Sequence, residues 1–358
     1  MARLMSIIII TVMLPLLVSF WAPTGNMQQQ QQSFELSVQH YQSTCPNVSS
    51  IVTEVITSLT ARSNVVPPAL LRLLMHDAIV QGCDASILIT STLENEAERD
   101  YPESQSIRQE AFDAVERAKE AVEAICPRVV SCADILVLAA RDAVVLSGGP
   151  TWEVPLGRLD GLVSSASNVA AALPIASFNV QQLASNFGAL GLTLLDLVVL
   201  SGAHTVGFAH CSEFRDRLYD FHGTNQADPS MDPNFVETVK QNCPPVEKDQ
   251  DASTIVPFDA TTPLIFDESY YLGLERGEGL LFSDQVLFSD PETQSIVSAM
   301  ASSQQLFFDS FVQSMIKFTS IVALQPGNIR NVCSTFNRRT DDNITAKPSL
   351  FRPECCCC

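Results

Sequence analysis

A chain of 358 residues with 46% apolar side chains is long enough to bury one large core or two ordinary ones. Its formal net charge of −19 excludes the basic footprint needed for nucleic acid or an anionic membrane surface. It contains no Gly-x-Ser-x-Gly, phosphate-binding loop or His-Glu-x-x-His, so the usual hydrolase and nucleotide signatures are missing.

Arg3 precedes an apolar run, Ile7–Trp21, that is broken by Thr11, Pro15 and Ser19. This is the form of a secretory signal segment, residues 1–25, rather than a membrane span, which needs about 20 uninterrupted apolar residues. Cleavage falls somewhere in 22–32; an uncleaved anchor is the alternative. Residues 26–34 read as a linker, with a glutamine run at 28–32. Eleven cysteines, at 45, 83, 126, 132, 211, 243, 333 and 355–358, suit an oxidising route, and their odd number leaves at least one thiol without an intramolecular partner. Asn47-Val48-Ser49 and Asn343-Ile344-Thr345 are glycosylation sequons on that route.

Helical spacing of Ile51, Val52, Val55, Ile56 and Leu59 predicts a helix over 48–62. Pro67 and Pro68 open a second, because a missing N–H costs nothing in the first turn, and it ends near Gly82. Residues 90–106 read as a polar surface loop. A half-buried helix is expected over 112–126. Ser131 and Asp134 form a helix-start signature for a segment running to about Leu146, before Gly148-Gly149-Pro150. Further helices are expected at 180–190, from Thr193 and Asp196 to Gly202, at 214–221, 235–243 and 268–276, and as one long helix at 293–321. Residues 258–267 read as extended or turn-like. Alternating β-branched runs are scarce, so the expectation is an all-α fold of ten or more helices with no linker dividing it and no repeat.

Arg72 and His76 stand i, i+4 on the second helix and share a face. A fixed cation one turn from an imidazole lowers the His pKa and can polarise an anionic or peroxidic oxygen. Spacing alone also allows a surface pair. Asp77, Val80, Gly82, Asp84 and Ser86 alternate carboxylates, a hydroxyl and free carbonyls, as calcium prefers, although an acidic loop is also an ordinary solvated turn. His204 lies just past a buried helix end among small residues, where a neutral imidazole could ligate iron or be a satisfied buried histidine.

The segments Leu71-Arg-Leu-Leu-Met-His-Asp with Gly82-Cys-Asp-Ala-Ser, Val130-Ser-Cys-Ala-Asp-Ile, Val154-Pro-Leu-Gly-Arg-Leu-Asp, Leu200-Ser-Gly-Ala-His-Thr-Val-Gly and Ser283-Asp-Gln-Val-Leu-Phe occur in that order. Together the chain resembles a plant secretory (class III) haem peroxidase over about Glu35–Cys333. The resemblance implies a haem peroxidase domain at 35–335, two helical halves enclosing a haem b, followed by a tail at 336–358. Without Cys-x-x-Cys-His, the haem would be held non-covalently. His204 matches the axial iron ligand and Asp284 the carboxylate accepting its other ring N–H. His76 matches the acid/base acting on H2O2, and Arg72 the cation that stabilises charge during O–O cleavage. Pro174 matches a residue near the opening where phenolic donors would give single electrons. Two calcium ions are implied: one at Asp77, Val80, Gly82, Asp84 and Ser86, supported by Glu98 through water, and one at Thr205, Asp259, Thr262, Ile265 and Asp267. Asp134 and Arg158 match a buried structural ion pair. The resemblance also implies a monomer that is secreted to the wall or the vacuole, free of nucleic acid and, once the signal is removed, of membrane.

Matching the family's cysteines implies the pairs Cys45–Cys126, Cys132–Cys333 and Cys211–Cys243. The fourth partner is replaced by Ala78, which leaves Cys83 unpaired. Leu74 and Met75 stand where the family has a histidine and an aromatic. Ser104 stands where an asparagine accepts the distal imidazole N–H. These departures raise a second reading, a peroxidase-fold haem-binding or wall-associated protein with weak turnover. Retention of Arg72, His76, His204 and Asp284 favours the enzyme. The 336–358 tail, ending in Cys355–Cys358, reads as a sorting extension, a disordered tail or a cross-linking site.

Overall fold

Apolar residues at helical spacing become α1 (Val48–Thr60), which buries Val48, Val52 and Ile56. The computed structural model describes residues 35–245, 254–323 and 326–337, all in the unit that begins at Glu35. The signal segment at 1–25, the whole 26–34 linker, Asn343 and Cys355–Cys358 lie outside the described residues.

The prolines expected to open the second helix do so: α2 (Val66–Val80) has Pro67 and Pro68 in its first turn. It is buried nearly all round, as a central helix must be. α3 (Gln109–Glu123) and α4 (Cys132–Leu146) pack with α1 and α2. Ser131 caps α4 by accepting from the Asp134 N–H at 3.1 Å, as its sequence signature requires. Then follow α5 (Ala166–Ala172), α6 (Val180–Ala189) and α7 (Leu194–Ser201). Thr193 and Asp196 form a reciprocal capping box at the start of α7. The chain continues through α8 (Arg215–Tyr219), α9 (Pro233–Asn242), α10 (Ser269–Glu275), α11 (Phe282–Ser289), α12 (Gln294–Ala301) and α13 (Gln304–Thr319).

Thirteen α-helices among the described residues make the all-α expectation correct. Three details differ. The single helix expected at 293–321 is two, because Ser303 leaves helical geometry and caps α13 through the Leu306 N–H. α5 and α11, each about two turns long, lie where no helix was expected. One small antiparallel pair, β1 (Phe208–His210) with β2 (Ile255–Pro257), joins segments far apart in sequence.

One large apolar core runs from α1 through α13, and a smaller one gathers Phe214, Leu218, Phe235, Val239 and Leu280 around the Cys211–Cys243 bridge. Cys45–Cys126 ties the entry of α1 to the exit of α3, and Cys132–Cys333 ties α4 to the C-terminal segment. All three expected bridges are therefore present, and Cys83 is free and buried. Arg158 and Asp134 pair at 2.8 Å with both side chains fully buried. Arg158 also donates to Thr319 and Pro155 carbonyls, and Asp134 accepts from the Tyr41 hydroxyl, so no charge is left unpaired. No single described helix is long and apolar enough to cross a membrane.

Candidate active site

α2 carries Arg72 and His76 one turn apart, and a single turn of the loop before α3 holds both. Arg72 donates through Nη2 to the Glu103 carbonyl at 3.1 Å and the Ser106 hydroxyl at 2.8 Å. Its Nε is buried without a partner. His76 Nδ1 lies 3.3 Å from the Ser104 hydroxyl, and Ser104 is 1% exposed. The loop read as surface thus folds inward at this point: Ser104 and Gln105 N–H groups both bond the Tyr101 carbonyl, turning the hydroxyl toward α2. Burial, and then the neighbouring Arg72 charge, hold the His76 imidazole well below its usual pKa. A neutral ring whose Nε2 bonds no described residue can accept a proton. Burial alone also lowers the Arg72 pKa, against an opposing pull from Glu213.

His204 sits in a 3-10 turn, Gly202–Thr205, that continues from α7. Gly202 is required there, because a Cβ would run into the Tyr271 hydroxyl and the Phe307 ring. His204 Nδ1 lies 2.9 Å from Asp284 Oδ1 on α11. A carboxylate only accepts, so Nδ1 carries the proton and Nε2 is left as a lone-pair donor. One face of the ring stacks on Phe258, centroid to centroid 4.2 Å at 2°. The His204 side chain is 35% exposed while Asp284 is 3% exposed, so the free edge faces open space. α11 is itself anchored: buried Arg217 donates to the Gly279 and Leu280 carbonyls just before it, and the Ser283 N–H bonds the Ala176 carbonyl. Pro174 lies half-buried two residues from Ala176, in the link between α5 and α6, with no hydrogen bond to either histidine.

These groups fit a non-covalent haem. One imidazole offers an unshared Nε2 with its Nδ1 fixed; a second imidazole is neutral and buried; and a buried guanidinium nitrogen waits without a partner. Sequence reasoning missed Phe258, Glu103 and Ser106. Phe258 adjoins Asp259 in the motif already singled out, but its stacking on a ring 54 positions away has no sequence signal.

The residues of the first candidate calcium loop lie close together. Asp77, Asp84 and Glu98 are all buried, and Ser86 joins Glu98 at 3.0 Å. Asp77 Oδ1 is buried with no partner. The carbonyls of Val80 and Gly82 accept a hydrogen bond from no described residue. Gly82, at φ +89°, is packed against the Ile321–Ala323 backbone and admits no side chain. Burial, and then the neighbouring Asp84 charge, push Asp77 well above the usual carboxylate range. At the second loop the Thr205 hydroxyl is 3.3 Å from Asp267 and 3.4 Å from the Ile265 carbonyl, and Thr262 bridges Asp259 at 2.8 Å and Asp267 at 3.1 Å. All five second-site residues therefore converge. Among the described residues, no three acidic, cysteine or histidine side chains form a metal cluster by themselves, so an ion at either loop would have to draw on carbonyls and hydroxyls as well.

Comparison with known proteins agrees with this geometry. The family described as Peroxidase matches residues 51–303. The chain is similar to Peroxidase 51 of Arabidopsis thaliana, 44% identical over 309 residues, covering 85% of this chain and 93% of the relative. It is 45% identical to Peroxidase 64 of the same plant over 286 residues, 80% of this chain and 88% of the relative. It is 40% identical to Peroxidase 73 over 341 residues, 94% and 100%. Nothing in the fold or these matches favours the reading without turnover. The chain belongs to the peroxidase family, as a class III haem peroxidase that acts on H2O2.

Proposed function

We propose that this peroxidase binds haem b through His204 Nε2 and oxidises small phenolic donors at the expense of H2O2. The observation that carries the reading is the His204–Asp284 hydrogen bond at 2.9 Å, which fixes the tautomer and points the free nitrogen outward. Bound haem supplies the redox-active iron at which the O–O bond is cleaved and from which oxidising equivalents leave one electron at a time. His76, neutral by burial, takes a proton from H2O2 and returns it to the departing oxygen, which leaves as water. Ser104 accepts from or orients His76 Nδ1 and keeps the ring aimed during both transfers. Arg72 stabilises the negative charge that develops on oxygen, a role for which its unpartnered Nε is available. Two phenols each lose one electron and one proton, and two waters are formed per peroxide. Pro174 borders the donor opening.

Calcium occupies both loops. Asp77, Asp84, Ser86 and the Val80 and Gly82 carbonyls hold one ion, with Glu98 behind them. Thr205, Asp259, Thr262, Asp267 and the Ile265 carbonyl hold the other. Each set includes the chain neighbour of a site histidine, Asp77 next to His76 and Thr205 next to His204. Calcium therefore braces the pocket rather than joining the reaction. The domain at 35–335 acts as a monomer. It reaches the wall through the signal segment at 1–25, or the vacuole if the 336–358 tail sorts it there. Exposed Asn47 supports a glycosylated secretory route.

The test is His204→Ala purified with haem. The predicted result is loss of tightly held haem and partial recovery on adding imidazole. A variant that retains haem with an unchanged Soret band sinks the assignment.

A further inference from the structure

Asp284 Oδ1 serves two donors. His204 Nδ1 lies 2.9 Å away, and the Tyr270 hydroxyl donates to the same oxygen at 2.9 Å. The second oxygen, Oδ2, accepts from the Leu281 N–H at 3.4 Å. Tyr270 is 3% exposed and Asp284 2%, so water does not compete for either group. The Tyr270 ring meets the imidazole edge-on, with centroids 6.2 Å apart, and is fixed from the other side by Tyr271 at 5.1 Å. Burial and the Asp284 charge push the phenol well above its usual pKa, so it stays a donor.

A carboxylate oxygen has a fixed charge to share. Each donor it accepts drains some of that charge, so two donors on one oxygen weaken each other. A weaker acceptor pulls less on the His204 N–H and leaves Nε2 less electron-rich. An electron-poor axial nitrogen stabilises the oxidised metal less.

We propose that Tyr270 tunes the proximal histidine through Asp284, its hydroxyl diluting the His204–Asp284 hydrogen bond by sharing Oδ1. The inference rests on the reading of His204 as the iron ligand. A merely structural tyrosine has the opposite consequence: its loss would let the carboxylate drift and weaken the bond to His204.

The sign of one measurement separates the two. The iron–histidine stretching band of the reduced, haem-loaded protein is recorded by resonance Raman for wild type and Tyr270→Phe, with the reduction potential alongside. Tyr270→Phe is expected to shift the band to higher frequency and the potential to a lower value. A band that stays or moves to lower frequency overturns the inference. Absence of an iron–histidine band in the wild type would instead overturn the assignment of His204. Should Tyr270→Phe not hold haem, 3-fluorotyrosine placed at position 270 supplies a stronger donor of nearly the same shape. Its expected shift is to lower frequency, and an unchanged or higher band refutes the proposal.

Discussion

His76 Nδ1 and the Ser104 hydroxyl meet at 3.3 Å inside the protein. The contact is long for a hydrogen bond, and its partner is shorter than the amide that the family resemblance leads one to expect. In the proposed mechanism Ser104 is nevertheless the side chain that would orient this imidazole. A neutral hydrogen bond of this kind contributes about 1 kcal/mol. Ser104→Ala is therefore predicted to slow the first reaction with H2O2 by roughly fivefold. Ser104→Asn, with a longer reach and a stronger acceptor, is predicted to speed it. Stopped-flow mixing at several peroxide concentrations measures both.

Ala78 and Cys83 give a second prediction. Both are buried, and the Cys83 thiol, pushed up chiefly by burial although the Arg158 charge pulls the other way, lies 3.9 Å from the Phe318 carbonyl. A thiol in that setting is unreactive. Cys83 should resist alkylation in the folded protein and react only on unfolding. In Ala78→Cys, a bridge to Cys83 would close a very short loop, worth about 2 kcal/mol by chain entropy. The expected result is a Tm higher by a few degrees. A lower Tm with the bridge verified by mass spectrometry would mean that the surrounding packing has settled around an unbridged loop.

Calcium removal gives the third. Asp77, Asp84 and Glu98 crowd one buried volume, and the proposed calcium would add to the Arg330 charge in offsetting their repulsion. Chelation is predicted to lower the Tm and slow the reaction with H2O2 together, because Asp77 and Thr205 each adjoin a site histidine. Added calcium should restore both, whereas magnesium, which demands a tighter octahedral shell, should not. A chelated protein with unchanged Tm and rate would remove calcium from the account.

Much of this was legible beforehand, for identifiable reasons. Pro67, Pro68, Ser131, Thr193 and Asp196 act within one helical turn, so local chemistry predicts the helix starts they produce. Arg72 and His76 are legible as a pair because helical spacing alone puts them together. His204 and Asp284 are not: they lie 80 positions apart on separate elements. Only resemblance joined them. Tyr270 and Phe258 carried no signal, since their importance lies in which atom they touch. The break at Ser303 was hidden because the apolar spacing of α12 carries smoothly into α13, and only a capping hydroxyl marks the end of one and the start of the other.

The most direct measurement is the bimolecular rate of the H2O2-induced Soret change in the haem-loaded protein, compared between wild type and His76→Ala. The account predicts a prompt response in the wild type. In His76→Ala it predicts a rate roughly a hundred- to ten-thousandfold lower, the range typical of losing a positioned general base, with haem still bound. A wild-type Soret band indifferent to H2O2, or a His76→Ala rate equal to the wild type's, would contradict it.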